Sequence, residues 1–328
     1  MLDKYFPLYV LVFAITLALT ALIEKKFIPY LKIKAQQPIY DEGPAWHLSK
    51  SGTPTMGGIA FLSATAVSLT LAAVFLLFFE SYESFISIIL SLGLGIGNAS
   101  IGIIDDLTKL KRKKNAGLSP KQKLFLQFIL CALFIFLRSV LLKSDTAFNF
   151  SFGKIELGFF YYPLTLFFML GIINSANLTD GVDGLASSVA FAIGISLFYI
   201  SASLNPELAF ISSAIIGSTL GFLLFNLHPA KIFMGDTGSL FFGALIASSG
   251  SILENPLIML IISGFYVIEG FSVVIQVVWY KLTKKRIFKM APLHHHLEKS
   301  GFSENKICLC AIFLTFLFSI PAYIIYLP

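Results

Sequence analysis

Apolar residues run along this chain in long blocks, and polar residues gather between them. Ten such blocks lie near 5–23, 56–79, 84–104, 123–143, 159–176, 185–203, 207–226, 238–253, 256–280 and 306–327. Most approach the ~20 residues that a helix needs to cross the hydrocarbon core of a bilayer. The strict alternation of barrel strands is absent, and backbone groups in lipid must find partners inside their own segment, so the blocks read as helices. The eighth is short, and it and the ninth can be divided in more than one way around Glu254–Pro256. The pattern predicts an all-α polytopic membrane protein with about ten transmembrane helices, one domain over 1–328 and no internal repeat. The first block reads as a span rather than a secretory leader: it is too long, and Ile23-Glu24-Lys25-Lys26-Phe27 follows it instead of a small-residue cleavage site.

Composition strengthens this picture. Of 328 residues, 56% are apolar and 13% charged, about half the charge of a typical soluble domain. The mean hydropathy is +0.83 and the isoelectric point about 9.1. The net charge of +6 is first a matter of membrane orientation, so no nucleic-acid partner is expected. Apart from Lys4, Arg138, Lys143 and Lys154, every one of the 24 Lys and Arg lies in or beside the connections 24–55, 105–122, 177–184, 227–237 and 281–305. Positive charge marks the cytoplasmic side, which places these five connections inside and both termini outside. Cys131, Cys308 and Cys310 sit in apolar blocks at spacings that suit neither a disulfide nor a metal.

The polar motifs fall on that same side: KSGTPTMGG, IIDDLTK, NSANLTDGVDG, FNLHPAKIFMGDTGS and APLHHHLEKSG. They can meet in one cytoplasm-facing cleft. A transporter, the alternative of another class, more often carries its polar groups at mid-membrane in broken helices. Asp105 and Asp106 stand where the third block ends. Adjacent helical side chains diverge by about 100°, so both can serve one site only near a helix end; otherwise they are a solvated terminus with Lys109 as partner. Asp180 and Asp183 are spaced for one helix face or for a turn that Gly181 and Gly184 let approach a ligand. They do not match a calcium loop. Asp236, between Gly235 and Gly238, is either the N-cap of the eighth span or a magnesium ligand, and Phe233 either stacks on a base or is an interfacial aromatic.

His294, His295 and His296 lack zinc-site spacing and suit phosphate oxygens better, with a zinc-dependent membrane enzyme built on the histidines as a rival reading. The basic run 109–123 fixes topology, touches anionic lipid or recruits a polyanionic substrate. The triplet Gly93, Gly95 and Gly97 follows no strand and reads as helix packing rather than a nucleotide fingerprint. Carboxylates for Mg²⁺, lysines and histidines for phosphates and an aromatic for a base together indicate phosphoryl transfer, from a soluble nucleotide donor to a lipid acceptor.

With the segments GTPTMGG, SIGIIDDLTK, NAGLSPKQK, NSANLTDGVDGLA, FNLHPAKIFMGDTGSL and MAPLHHHLEKSG, the chain resembles the phospho-N-acetylmuramoyl-pentapeptide-transferase family from about residue 43 to 305. This family is one branch of the polyprenyl-phosphate N-acetylhexosamine-1-phosphate transferases. PTMGG and the PLHHH loop separate it from the sister branch that uses UDP-GlcNAc. Gly270 departs from the pattern, where Thr is expected after Glu269, and Val182 stands where Leu is commoner. The resemblance implies transfer of phospho-MurNAc-pentapeptide from UDP-MurNAc-pentapeptide to undecaprenyl phosphate, giving lipid I and UMP. It also implies Mg²⁺, a homodimer, the bacterial inner membrane and inhibition by nucleoside antibiotics. By motif position Asp236 resembles the Mg²⁺ ligand, with Asp105 and Asp106 as further candidate ligands. Asp105 and Asp106 resemble the catalytic pair, with Asp105 as the base, and His294 joins them as a catalytic candidate. Phe233, Gly181, Val182 and Asp183 resemble the uridine pocket; Lys50, Thr55, Lys109, Lys121, Asn177, Asp180, His295 and His296 resemble substrate contacts.

Overall fold

The computed structural model describes residues 4–35, 50, 52–112, 117–202 and 204–326. Lys113 and Lys114 of the basic run lie outside the described residues. The helices, in chain order, are α1 Phe6–Lys34, α2 Gly58–Phe79, α3 Tyr82–Arg112, α4 Pro120–Leu142, α5 Tyr161–Thr179, α6 Leu185–Ser201, α7 Pro206–Asn226, α8 Gly235–Ile252, α9 Pro256–Ile262, α10 Gly264–Thr283, α11 Leu293–Glu298 and α12 Glu304–Tyr326. Among the described residues, eight helical segments are long and apolar enough to cross a membrane: α1 to α5, α7, α10 and α12. The all-α polytopic expectation therefore stands at that level.

Four details differ from the sequence pattern. First, α1 continues past the apolar block to Lys34, carrying Glu24, Lys25 and Lys26 within the helix. Second, α6 and α8 are shorter than the other segments that were read as spans. Third, the ninth block is two helices that meet at Ser263. Asn255 caps α9 by accepting the Ile258 N–H, Pro256 opens it, and Gly264 lets the Phe318 ring of α12 lie against the start of α10. Fourth, a short antiparallel hairpin joins α4 to α5, β1 Ala147–Phe150 with β2 Gly153–Glu156, in the register Ala147 to Glu156 and Phe150 to Gly153. Asn149 N–H donates to the Glu254 carbonyl at 3.3 Å and Ser151 N–H to the Ile325 carbonyl at 2.8 Å. Tertiary bonds thus hold a hairpin too short to announce itself by alternation.

The centre is α8, GDTGSLFFGALIASSGSI, buried from Thr237 to Ile252. Small residues let backbones approach where lipid supplies no hydrophobic drive between helices. A Cβ at Gly243 would press on Ile173 of α5, one at Gly95 on the Phe241 ring, and one at Gly58 on the Gly238 backbone. Buried hydroxyls along the bundle donate to carbonyls one turn back, as Thr16 does to Val12 at 2.7 Å and Ser212 to Leu208 at 2.7 Å. These two side chains are satisfied in this way without leaving an apolar interface. At one end of this bundle the polar motifs converge.

Candidate active site

The carboxylate pair was expected at a helix end, and the structure corrects this. α3 runs on to Arg112, so Asp105 and Asp106 lie inside the helix, both buried. Two directions 100° apart still serve one site because α3 lies between α4 and α8. Asp105 turns toward the start of α4: its Oδ1 accepts the Leu118 N–H at 2.6 Å, and Lys109 Nζ lies 2.7 Å from its Oδ2. Asp106 turns toward α8, where it accepts from Asp236 N–H (3.2 Å), Thr237 N–H (3.0 Å) and the Thr237 hydroxyl (2.7 Å). The first turn of a helix has N–H groups without partners inside the helix, and a carboxylate there also meets the positive end of the helix dipole. Asp106 is thus a cap on α8 supplied by another helix.

Glycine makes that reach possible. A Cβ at Gly102, one turn before Asp106, would collide with the Asp236 carbonyl. Gly235 has φ +69° and lies so that a Cβ would press on Asp106 Oδ2 and Thr55 Oγ1; this left-handed backbone suits glycine alone without cost. Backbone bonds from Phe233 N–H to the Pro54 carbonyl (2.8 Å) and from Gly57 N–H to the Phe233 carbonyl (2.9 Å) tie the PTMGG segment to the approach to α8. Thr55 and Phe233 are thereby held beside the cluster.

Asp236, in the first turn of α8, completes the group. Each of Asp105, Asp106 and Asp236 offers an oxygen within 4.8 Å of the others. Lys109 lies 3.4 Å from Asp236, and Lys123 lies 3.1 Å from Asp105 and pairs directly with Asp236. Asn177 Nδ2 donates to Asp236 Oδ1 at 3.2 Å and to Ser239 Oγ at 2.8 Å. Hard oxygen donors in this number suit Mg²⁺, and the two ammonium groups reach the same oxygens that such a cation would need. The donor set therefore fits the metal. Asp180, at the C-terminal end of α5, is partly buried; burial, then the charges of Asp236 and Asp106, raise its pKa well above the usual carboxylate value.

Lys123 escaped the sequence reading, which named Lys121. α4 begins with Ser119, whose Oγ accepts the Gln122 N–H while Gln122 Oε1 accepts the Ser119 N–H, and Pro120 follows. This reciprocal cap sets the helix phase. Lys123 then faces the carboxylates, and Lys121 is exposed.

Asp183 does not join the three aspartates. It forms a second cluster with Lys50, His228 and Glu304. Lys50 Nζ lies 2.7 Å from both Asp183 Oδ1 and Glu304 Oε2. His228 Nδ1 lies 3.0 Å from Asp183 Oδ2 and 3.2 Å from Glu304 Oε1, and Ala230 N–H donates to Asp183 Oδ2 at 3.0 Å. Burial opposes the Lys50 ammonium, but its bonds to Asp183 and Glu304 outweigh this and raise its pKa. Val182, next to Asp183 in the chain, is buried. His228 and Glu304 line an open pocket with Phe302, Ser303 and Asn305.

The three histidines part ways on α11. His294 is fully buried, and its Nε2 lies against Gly181, where a Cβ would collide with it. His295 Nδ1 lies 2.6 Å from Glu298 Oε2, and His296 Nδ1 accepts the Lys289 N–H at 3.1 Å. Of the three, His294 is the one aimed at the aspartate end of α5.

Residues 86–254 match the model of glycosyl transferase family 4, and residues 50–62 match the phospho-N-acetylmuramoyl-pentapeptide-transferase signature 1. The phospho-N-acetylmuramoyl-pentapeptide-transferase of Thermoanaerobacter sp. (strain X514) is 41% identical over 326 residues, covering 96% of this chain and 99% of that protein. The chain belongs to the phospho-N-acetylmuramoyl-pentapeptide-transferase family. Proteins of that name from Halalkalibacterium halodurans (42% identical; 89% of this chain, 90% of that protein) and Bacillus thuringiensis strain Al Hakam (43%; 90% and 89%) align over nearly as much. The matched signature covers Lys50, Thr55 and Gly58, which packs on α8, and the larger family match covers all the aspartates of both clusters.

Proposed function

We propose that this protein transfers phospho-MurNAc-pentapeptide from UDP-MurNAc-pentapeptide to undecaprenyl phosphate, producing lipid I and UMP. It works as a single transmembrane domain and a homodimer in the bacterial inner membrane, with the aspartate cluster facing the cytoplasm. The observation that carries the reading is the buried trio Asp105, Asp106 and Asp236 bridged by Lys109 and Lys123, at the end of a polytopic bundle of this family.

The lipid phosphate cannot leave the interface, so the catalyst must hold its charged groups there. A phosphate oxygen of the lipid attacks the phosphorus that bears the sugar. The bond from that phosphorus to the bridging oxygen breaks, and UMP leaves with the bridging oxygen. A phosphate monoester is already largely ionised near pH 7, which favours direct attack over a covalent aspartyl intermediate; Asp105 takes up the remaining proton. Asp236 would hold Mg²⁺, which would supply Lewis-acid stabilisation of the phosphoryl oxygens. Asp106 keeps the start of α8 in place. Lys109 and Lys123 move from the carboxylates to the incoming phosphates, where preorganised charge in a water-poor site counts most. Asp183, Lys50 and Phe233 bind the uridine, and nucleoside antibiotics compete there.

The test is UMP release by purified protein in detergent, with undecaprenyl phosphate, Mg²⁺ and either UDP-MurNAc-pentapeptide or UDP-GlcNAc. Release with the muramoyl donor alone is expected. Release with UDP-GlcNAc alone moves the protein to the sister branch, and rapid-quench trapping of labelled sugar phosphate on Asp105 or Asp106 replaces direct attack with a two-step route.

A further inference from the structure

Glu269 lies on α10, outside every motif that the sequence reading assigned to the site. It is fully buried, as is His294. Its Oε1 and Oε2 accept the His294 backbone N–H at 3.1 and 3.3 Å, and its Oε2 lies 3.1 Å from His294 Nδ1. An ionised Glu269 would only accept, which would put a ring proton on Nδ1 and leave Nε2 facing away from the carboxylate. Nε2 is buried and has no hydrogen-bond partner among the described residues. It fills the space above Gly181, one residue from Asp180. A buried ring nitrogen without a partner is costly, and a site that keeps one open is waiting for a ligand atom.

The packing of α10 explains how the carboxylate gets there. A Cβ at Gly270 would collide with Ser175 Oγ of α5, so α10 lies against the same helix that ends at Asn177 and Asp180. Tyr266, one turn before Gly270, donates to the Ala186 carbonyl at 2.7 Å. Gly270 thus sits where the Ser175 hydroxyl of α5 packs directly against the α10 backbone.

We infer that Glu269 is a positioning residue for the transfer: it locks the His294 tautomer and points Nε2 at a phosphate oxygen of the nucleotide donor. When the donor arrives, Nε2 takes a proton from solvent and donates to that oxygen, and Glu269 offsets the imidazolium charge. This inference rests on the transferase reading above.

The experiment compares wild type with Glu269→Gln, His294→Asn and the double variant, following UMP release and the thermal midpoint. Glu269→Gln lowers kcat about 10- to 100-fold with KM for the donor changed by less than about threefold, the scale typical of partners that orient a functional imidazole. In the His294→Asn background the same substitution adds nothing. Nitrogen-15 spectra of histidine-labelled wild type, with His294 assigned as the resonance lost in His294→Asn, show protonated Nδ1 and unprotonated Nε2. This measurement decides the matter even if Glu269→Gln does not fold. Wild-type kcat in folded Glu269→Gln, additive losses in the double variant or an Nε2-protonated ring overturns the inference. Full activity in His294→Asn instead overturns the placing of His294 in the transferase site.

Discussion

The two acidic clusters of this protein are built from similar residues and differ in how their charge is closed. In the Asp183 cluster, Lys50, His228 and two backbone N–H groups already meet Asp183 and Glu304. In the Asp105–Asp106–Asp236 cluster, three carboxylates share two lysines, and Asp180 stands nearby with a raised pKa. The first is a self-contained network at a rim of loops, where His228 is 45% exposed. The second is an acidic pocket held on two packed helices, with negative charge still to be met. Rigid elements suit reacting groups, which must hold geometry, and a rim suits recognition of a soluble group that enters and leaves. On the proposed function, chemistry would belong to the helix-borne cluster and nucleotide binding to the rim.

The largest effect expected is on the chemistry side. Asp236→Asn or Asp105→Asn lowers kcat for UMP release about 10³-fold, the upper range for removing a preorganised electrostatic contact, and chelating Mg²⁺ has at least as large an effect. Equal loss of kcat from Asp183→Asn would erase the distinction between the clusters. Asp106→Ala comes next and is read first in stability: its three bonds to the start of α8 vanish, costing about 2–3 kcal/mol as a lower thermal midpoint, with activity falling as Asp236 loses its setting. Lys50→Met acts on the other cluster. It raises KM for the nucleotide about tenfold, or about 1.4 kcal/mol, with kcat nearly unchanged.

A fourth prediction concerns pH. Because the Asp180 pKa is raised in the folded protein, the folded state holds its proton more tightly than the unfolded chain. Stability from this group is therefore full below the ordinary carboxylate value of about 3.9 and declines as pH rises toward the folded pKa. Asp180→Asn flattens that part of the stability–pH curve and raises the thermal midpoint at neutral pH; an unchanged curve shows that Asp180 ionises normally. The smallest effect separates two lysines: Lys123→Ala weakens activity more than Lys121→Ala, because Lys123 alone of the two reaches Asp105 and Asp236.

Much of the site was legible before any coordinates. Carboxylates and glycines in an otherwise apolar chain stand out because each is costly there without a role, so Asp105, Asp106, Asp180 and Asp236 could be picked out one by one. Partners were harder to see. Glu304 and Glu269 lie at the start of α12 and within α10, far along the chain from the groups they hold, and no local pattern marks them. Lys123 was missed for a different reason: a helix phase set by the Ser119 cap decides which of two nearby lysines turns inward.

By itself the sequence determined the class of the molecule, an all-α polytopic membrane protein, and the chemical types gathered in the candidate site. These follow from composition and period, which act locally and repeat along the chain. Tertiary structure alone decided that Asp105 and Asp106 work from inside a helix, that Asp183 belongs to another cluster, and that one histidine of three faces the site. Those outcomes depend on which helices touch and at what distance. Gly102 and Gly235 set that distance by what they lack, and a missing side chain tells a reader of the sequence nothing about which neighbour fills its place.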